Sequence, residues 1–307
     1  MISGKRFAAV DIGSNAVRLL LSEVFESYSG PCFRKISLIR MPIRLGKDAF
    51  ILGKISPENA DRLLDTIQGF KSLVAAYRPL SFRACATSAM RESGNGEKIR
   101  RQILAQTGVD IQIIDGKEEA RIIFANNPKG RLADDNFRLF VDVGGGSTEI
   151  IIYSDGQTVS RSFGIGTIRL LENLVPRSQW KELRSWISRH TRNFSNLEAV
   201  GSGGNINTII KMAQCKADRT ITYGKMKKVE NHLNFFSYDD RITKLGMKPD
   251  RADVIIPALK IYMSVMKWGG IRSIVVPQIG LADGMVRIMY RRHLRSKKKK
   301  KSVPSKK

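Results

Sequence analysis

The chain has 307 residues, 42% of them hydrophobic and 26% charged, and carries a net charge of +25. That length and composition suit two globular domains, each with its own core, and exclude a mainly disordered chain; no run of 18 apolar residues is present, which excludes a helical membrane span. The last 17 residues hold 10 Lys or Arg and no acid, yet the other 290 still carry +15. A basic body suits a polyanionic partner or substrate, although a generally basic proteome gives the same balance. The three cysteines, Cys32, Cys85 and Cys215, are too scattered for a disulfide framework or a zinc site, and point to a reducing cytoplasm. Met1–Val10 runs into Asp11 after four apolar residues, too soon for the core of a secretory leader. His190, His232 and His293 are equally dispersed, which argues against a histidine-based metal centre.

Phe7–Ile12 and Ala16–Val24 read as strands joined by a tight turn, with Cys32–Ile43 alternating as a third. Ser56-Pro57 marks a helix start, and Leu63, Leu64, Ile67, Phe70, Leu73 and Val74 give that helix one buried stripe. A strand at Phe82–Ala86, a helix at Lys98–Gln106, a strand at Ile111–Ile114 and a helix at Lys117–Asn126 follow. The opening then recurs: Leu139–Val143, a glycine-rich turn, Glu149–Tyr153 and Gln157–Phe163. Next come a helix at Gln179–Arg192, a strand at Ala199–Val200, a Gly-Ser-Gly-Gly turn and a helix from Asn205. Asp250–Trp268 reads as a helix that Pro257 should kink, before a strand at Ser273–Val276 and a helix at Ala282–His293. The segment Ser296–Lys307, with five consecutive lysines, should be disordered, because like charges repel and nothing is there to bury. Two three-stranded beginnings, each with an Asp and small residues at its first turn, indicate duplication at the level of fold.

The second turn, Asp142-Val143-Gly144-Gly145-Gly146-Ser147-Thr148-Glu149, combines two chemistries. Consecutive glycines let backbone N–H groups converge on phosphate oxygens, and Ser147 and Thr148 add hydroxyls. Asp142 and Glu149 supply the hard oxygen ligands that Mg²⁺ prefers. Asp11-Ile12-Gly13-Ser14-Asn15 is a weaker relative of the same turn, and alone reads equally as an ordinary hairpin. Arg18 either reaches the cleft as an anion ligand or is simply exposed. Gly201-Ser202-Gly203-Gly204 lies where a phosphate could sit over a helix N-terminus. Glu118 and Glu119 open a helix, where acids commonly complement the helix dipole; equally, cleavage of a phosphoanhydride needs a carboxylate to direct water, and no histidine lies near any motif. Arg91 could neutralise phosphate charge and Asn95 brace its loop.

The order of these motifs resembles the exopolyphosphatase / guanosine pentaphosphate phosphohydrolase (Ppx/GppA) family of the actin-like ATPase superfamily. The resemblance rests on Val10-Asp11-Ile12-Gly13-Ser14-Asn15 with Arg18, Arg44-Leu45-Gly46, Ala86-Thr87-Ser88-Ala89-Met90-Arg91 with Asn95, Ile114-Asp115-Gly116-Lys117-Glu118-Glu119-Ala120-Arg121, and the Gly₃ turn. Gly164-Ile165-Gly166, Gly201-Ser202-Gly203-Gly204, Arg251-Ala252-Asp253 and Gly280-Leu281-Ala282-Asp283-Gly284 extend it. It implies Glu119 as the catalytic base that activates water and Asp142 and Glu149 as carboxylates organising Mg²⁺ or another divalent cation. Gly13, Ser14 and Asn15 would form the first phosphate loop and Gly144, Gly145, Gly146, Ser147 and Thr148 the second. Arg18 and Arg91 would face the phosphate chain, with Gly203 and Gly204 in a third phosphate-binding turn.

The chain departs from the family in having Asp115 where many members have Ser, and it ends where longer members begin a helical HD-type domain that helps them bind polymer and dimerise. The implied fold is α/β: two actin-like (ribonuclease H-like) domains, each with a five-stranded sheet, and a cleft between them. The first would cover 1–130, with the helix at 281–293 packing back on it, the second 131–280, and a disordered basic tail 294–307. The implied activity is cytoplasmic release of terminal orthophosphate from inorganic polyphosphate, guanosine pentaphosphate (pppGpp), or both. No membrane or specific nucleic-acid partner is expected, although the tail could hold polyanions non-specifically, and a homodimer is left open. The alternatives are a polyphosphate or (p)ppGpp sensor without efficient catalysis, and a polyphosphate:ADP phosphotransferase.

Overall fold

The computed structural model describes residues 4–126, 137–154, 156–194, 197–215 and 219–301. The expected domain boundary at 130/131 lies outside them, as do residues 302–307 of the expected tail. The chain opens as an antiparallel meander, β1 (Lys5–Ile12), β2 (Val17–Ser27) and β3 (Gly30–Met41). Helices α1 (Leu45–Ile51) and α2 (Pro57–Tyr77) follow, and α2 starts as its residues dictate: the Ser56 hydroxyl accepts from the Asn59 N–H, with Pro57 at the first position. Strand β4 (Ser81–Ala86) returns parallel to β1, then come α3 (Ser88–Glu92), α4 (Gly96–Thr107), edge strand β5 (Ile111–Ile113) and α5 (Gly116–Phe124). The sheet order is β3-β2-β1-β4-β5.

The second lobe repeats that order. Strands β6 (Phe137–Val143), β7 (Thr148–Ser154) and β8 (Gln157–Phe163) form its meander. Helices α6 (Thr167–Leu171) and α7 (Arg177–Thr191) lead to β9 (Leu197–Ser202), parallel to β6. The chain continues through α8 (Gly204–Met212), β10 (Thr220–Thr222), α9 (Tyr223–Asn234), α10 (Tyr238–Thr243), α11 (Pro249–Ala252), α12 (Ile255–Gly269), β11 (Ile271–Val275) and α13 (Leu281–Lys301). The order is β10-β11-β9-β6-β7-β8. Five strands copy the first sheet, which gives the duplicated actin-like arrangement; β10 adds a sixth where five were expected.

Alternation along the central strands builds three cores. Ala8, Val10 and Ile12 of β1 face the first lobe's helices, and Leu139, Val141 and Val143 of β6 face those of the second. The opposite faces, with Phe7 and Ala9 on one side and Phe140 on the other, share a third core with Ile122 and Ile123 of α5 and Met285, Val286 and Met289 of α13. Helices α5 and α13 therefore lie between the two sheets, and α13 packs back on the first lobe through the Phe7–Tyr290 ring contact. Strands buried on both faces explain why β1 and β6 read as continuous apolar runs rather than alternating ones.

Two expectations change. Helix α13 does not end at His293 but runs to Lys301, so residues 294–301 are helical rather than disordered. Leu294 packs on the shared core, which carries the helix past His293. Pro257 does not kink a long helix. The chain breaks earlier, at Asp253-Val254, and Pro257 falls in the first turn of α12, where its missing N–H costs nothing. No helix among the described residues is long and apolar enough to cross a membrane.

Candidate active site

The two hairpin turns close in the same way. The Gly13 N–H donates to the Ala16 carbonyl at 3.1 Å, and the Gly144 N–H to the Ser147 carbonyl at 2.9 Å. They also touch. A Cβ on Gly145 would lie 2.9 Å from the Ser14 Cβ, and one on Gly146 2.5 Å from the Ser88 hydroxyl, so only glycine permits this approach. The Ser14 and Ser88 hydroxyls share a hydrogen bond of 2.8 Å. The structure is thus a shut state, with the bends of both lobes in contact.

Asp142 and Glu149 face each other across the second hairpin, and both are buried. Burial, aided by the charge of Asp11, pushes the Asp142 carboxyl up to about 6. Burial and the Asp142 charge push Glu149 up to about 7, against hydrogen bonds donated by Ser147 at 2.6 Å and Ser162 at 2.8 Å. Gly203, at φ 91°, presses its Cα side on Asp142: a Cβ there would meet Oδ1 at 2.5 Å.

Helix α5 delivers the third acid. Its N-cap is Asp115, whose carboxylate accepts from the Glu118 N–H at 2.7 Å. Ser and Asp both cap helices this way, so the family departure at this position leaves the local structure unchanged. Gly116 abuts β8: a Cβ there would come within 2.4 Å of the Ser162 Cβ, so the helix start docks directly on the second lobe. Glu118 turns outward to Arg121 at 2.5 Å and Arg83 at 3.2 Å. Glu119 turns inward and is buried, with Oε2 lacking any hydrogen-bond partner. Burial, then the charges of Glu149 and Asp142, raise its pKa well above the carboxylate range, and Arg91, 3.9 Å away, only partly opposes them. Arg91 is itself held by the Ile114 carbonyl at 2.8 Å. Asn95 braces its loop by exchanging hydrogen bonds with Ile55 at 2.8 and 2.9 Å.

Arginines occupy the other flank. Asp11, Arg18 and Arg40 are cross-strand neighbours on β1, β2 and β3. Arg18 is only partly exposed and donates to Asp11 at 2.7 Å, so it is held at the first turn by a carboxylate. Arg40 pairs with Asp250, Arg44 with Asp253 at 2.6 Å, and the Asn15 amide donates to the Asp250 carbonyl at 2.8 Å. Arg251, against Gly204, donates to Asn205 at 2.5 Å; burial and the charges of Arg18 and Arg40 push its pKa down to about 9. On the opposite rim, Arg169 of α6 donates to the Gly146 carbonyl at 2.8 Å, pairs with Glu92 of α3, and lies over the Phe50 ring at 4.1 Å.

The site residues expected from sequence therefore gather where the lobes meet, with one qualification. The Thr148 hydroxyl is committed to the Ile165 carbonyl at 2.5 Å and so serves the turn. Ser88, Ser162, Arg40, Asp250 and Arg169 were not singled out. Only Arg40 had a signal: it falls beside Arg18 once β2 and β3 are paired in register.

A family model for the Ppx/GppA phosphatase family matches residues 24–293. The chain belongs to the Ppx/GppA phosphatase family. Exopolyphosphatase 1 of Mycobacterium tuberculosis is 25% identical over 302 residues, covering 92% of this chain and 87% of that protein. The bifunctional 3-dehydroquinate synthase/phosphatase of Fusobacterium nucleatum is also 25% identical, over 88% of this chain but 44% of its own length. Among solved structures, an exopolyphosphatase from Cytophaga hutchinsonii superposes with a TM-score of 0.79 at 23% identity, covering 93% of this chain and 97% of that one. The Aquifex aeolicus Ppx/GppA family member gives 0.73 at 21% identity, with 95% and 99% covered. These structural likenesses establish the Ppx/GppA fold.

Proposed function

We propose that this chain is an exopolyphosphatase that releases orthophosphate from the end of inorganic polyphosphate. The observation that carries the reading is Glu119: a largely buried carboxylate whose Oε2 has no hydrogen-bond partner and only Arg91, 3.9 Å away, as a countercharge, beside Asp142 and Glu149, where two phosphate-type turns meet. A carboxylate in that position has one obvious use, to orient a water and take its proton. In the reaction, the water oxygen forms a bond to the terminal phosphorus, the anhydride P–O bond breaks, the shortened chain departs with the electron pair, and the proton passes to Glu119. The Gly13 and Gly144 N–H groups close their own turns, so the backbone N–H groups of Ser14–Asn15 and Gly145–Ser147 would hold phosphate oxygens, with Arg18 and Arg91 offsetting charge. Water other than the nucleophile is excluded as the lobes close.

The acids also suit a divalent cation. Burial first, then neighbouring acids (Asp11 for Asp142, Asp142 for Glu149), push these carboxyls to about 6 and 7, as expected of carboxylates that lack a countercharge. No compact group of three His, Cys, Asp or Glu side chains forms among the described residues, which fits an ion taking few protein ligands and completing its shell with water and phosphate, as Mg²⁺ does. Asp142 and Glu149 would hold Mg²⁺, which when bound would supply positive charge to the phosphoryl oxygens and offset the carboxylate repulsion that adds to burial in raising the Glu119 pKa.

The test is phosphate release from polyphosphate and, in parallel, from pppGpp, with and without Mg²⁺. Release from polyphosphate that depends on the metal supports the reading, and release from pppGpp alone moves the substrate to the alarmone. Folded protein that turns over neither ends it. ATP formed from polyphosphate and ADP would reassign it as a phosphotransferase.

A further inference from the structure

The shut cleft is bridged by ion pairs that have no part in the chemistry above. Arg40 on β3 and Arg44 just before α1 belong to the first lobe; Asp250 and Asp253, in and after α11, belong to the second. The pairs Arg40–Asp250 and Arg44–Asp253 therefore cross the opening, and Asp250 also holds Asn15 of the first phosphate turn. Ser14 and Gly145 are in contact, so a phosphate enters between the turns only when the lobes part, and parting them breaks both pairs.

The pairing is incomplete. The Nε groups of Arg40 and Arg44 are buried without a hydrogen-bond partner, and so is Oδ1 of Asp253. Each guanidinium meets one carboxylate and still has a donor to spare; a phosphoryl group presents more acceptors and more charge. The row Asp11–Arg18–Arg40 runs from the first turn straight to this cluster. Positive charge is in excess there by count: Arg18, Arg40, Arg44 and Arg251 gather around Asp11, Asp250 and Asp253. Burial works to raise Asp250, but Arg40 outweighs it and holds that carboxyl below the usual range, so it stays ionised and paired.

We infer that Asp250 and Asp253 are a built-in competitor of the phosphate chain: in the shut state they occupy Arg40 and Arg44, two arginines that bind inner phosphates of the chain once the lobes part. The inference rests on the exopolyphosphatase reading and deepens it. Arg40 and Arg44 extend the binding surface beyond the reacting end, and the two aspartates are positioning residues that act through them. A chain with several phosphates displaces both carboxylates together, whereas a single orthophosphate meets only one.

The signs of the mutant effects separate this from a merely structural role. Asp250→Asn and Asp253→Asn, alone and together, keep the side-chain shape and remove the competing charge. Binding of medium-length polyphosphate by calorimetry, and KM for its hydrolysis, should tighten by about threefold to tenfold, with kcat within about twofold. Arg40→Gln and Arg44→Gln should weaken both by about tenfold. Structural pairs would make all four variants fail in the same direction, and aspartate variants with unchanged or weaker binding overturn the inference while wild-type turnover leaves the exopolyphosphatase reading in place. A wild type that neither binds nor hydrolyses polyphosphate removes that reading and the competitor with it. Small-angle scattering without substrate reads the pairs directly: the double variant Asp250→Asn, Asp253→Asn should be more expanded than the wild type, because the pairs across the opening are lost. Identical dimensions for the two overturn the inference.

Discussion

The two hairpin turns are built alike and loaded differently. In the first lobe Asp11 stands at the end of β1 with the Arg18 guanidinium 2.7 Å away, a cation supplied by the chain itself. In the second lobe Asp142 stands at the equivalent end of β6, and its cross-strand neighbour is not an arginine but Glu149. Position 18 on β2 and position 149 on β7 are topological counterparts, each facing the strand-terminal Asp across its hairpin. Where the first turn pairs its Asp with a cation, the second sets two carboxyls side by side, and burial before all, then neighbouring acids, raises them to about 6 and 7. Under the proposed function, the duplicated fold would offer one turn for an anion alone and one for an anion together with a cation.

The largest test of this asymmetry is at the acid the second turn surrounds. Glu119→Gln should lower kcat by about a hundredfold or more with KM for polyphosphate nearly unchanged, since a lost base removes chemistry and not binding. Near-normal turnover would take Glu119 out of its role. Next, Asp142→Asn should demand about tenfold or more additional Mg²⁺ for half-maximal activity, whereas Asp11→Asn should leave the metal requirement unmoved. Equal metal dependence in the two variants would erase the distinction between the turns.

A third effect reads stability. The unfolded chain ionises these carboxylates near their ordinary values, while the folded, metal-free protein keeps their protons until about pH 6 to 7. The folded state then binds more protons than the unfolded one, so stability falls as pH rises from about 4.5 to about 7 and levels off above. Melting temperatures measured with a chelator should follow that slope, Mg²⁺ should restore much of the loss at pH 7.5, and Glu149→Gln should flatten it. The smallest expected effect is that of Arg18→Gln. It removes a charge that lowers Asp142, so the acid limb of the activity profile should move to higher pH without loss of its shape.

Much of the site was legible in the residues because its parts are local. A run of glycines with flanking acids defines its own turn, and Ser56-Pro57 or Asp115 defines its own helix start. The short helices α1, α3 and α6 were not legible, since five to seven residues show too little periodicity. Glu118 and Glu119 are indistinguishable as residue types; that one is taken up by Arg83 and Arg121 while the other turns toward Asp142 and Glu149 follows from how α5 docks, through Gly116, on a strand of the opposite lobe. Arg40 and Asp250 are 210 positions apart, and no spacing rule connects them.

Sequence alone determined the duplication, the two phosphate-type turns, the family and the set of acids, because each is written in contiguous residues whose backbone and charge preferences act over a few positions. Tertiary structure alone decided which acid is left without a partner, which arginines are already occupied, and that the turns touch in the shut state. Those outcomes depend on burial and on charges brought together from distant segments, and desolvation and Coulomb energy are set by the neighbours in space, not along the chain.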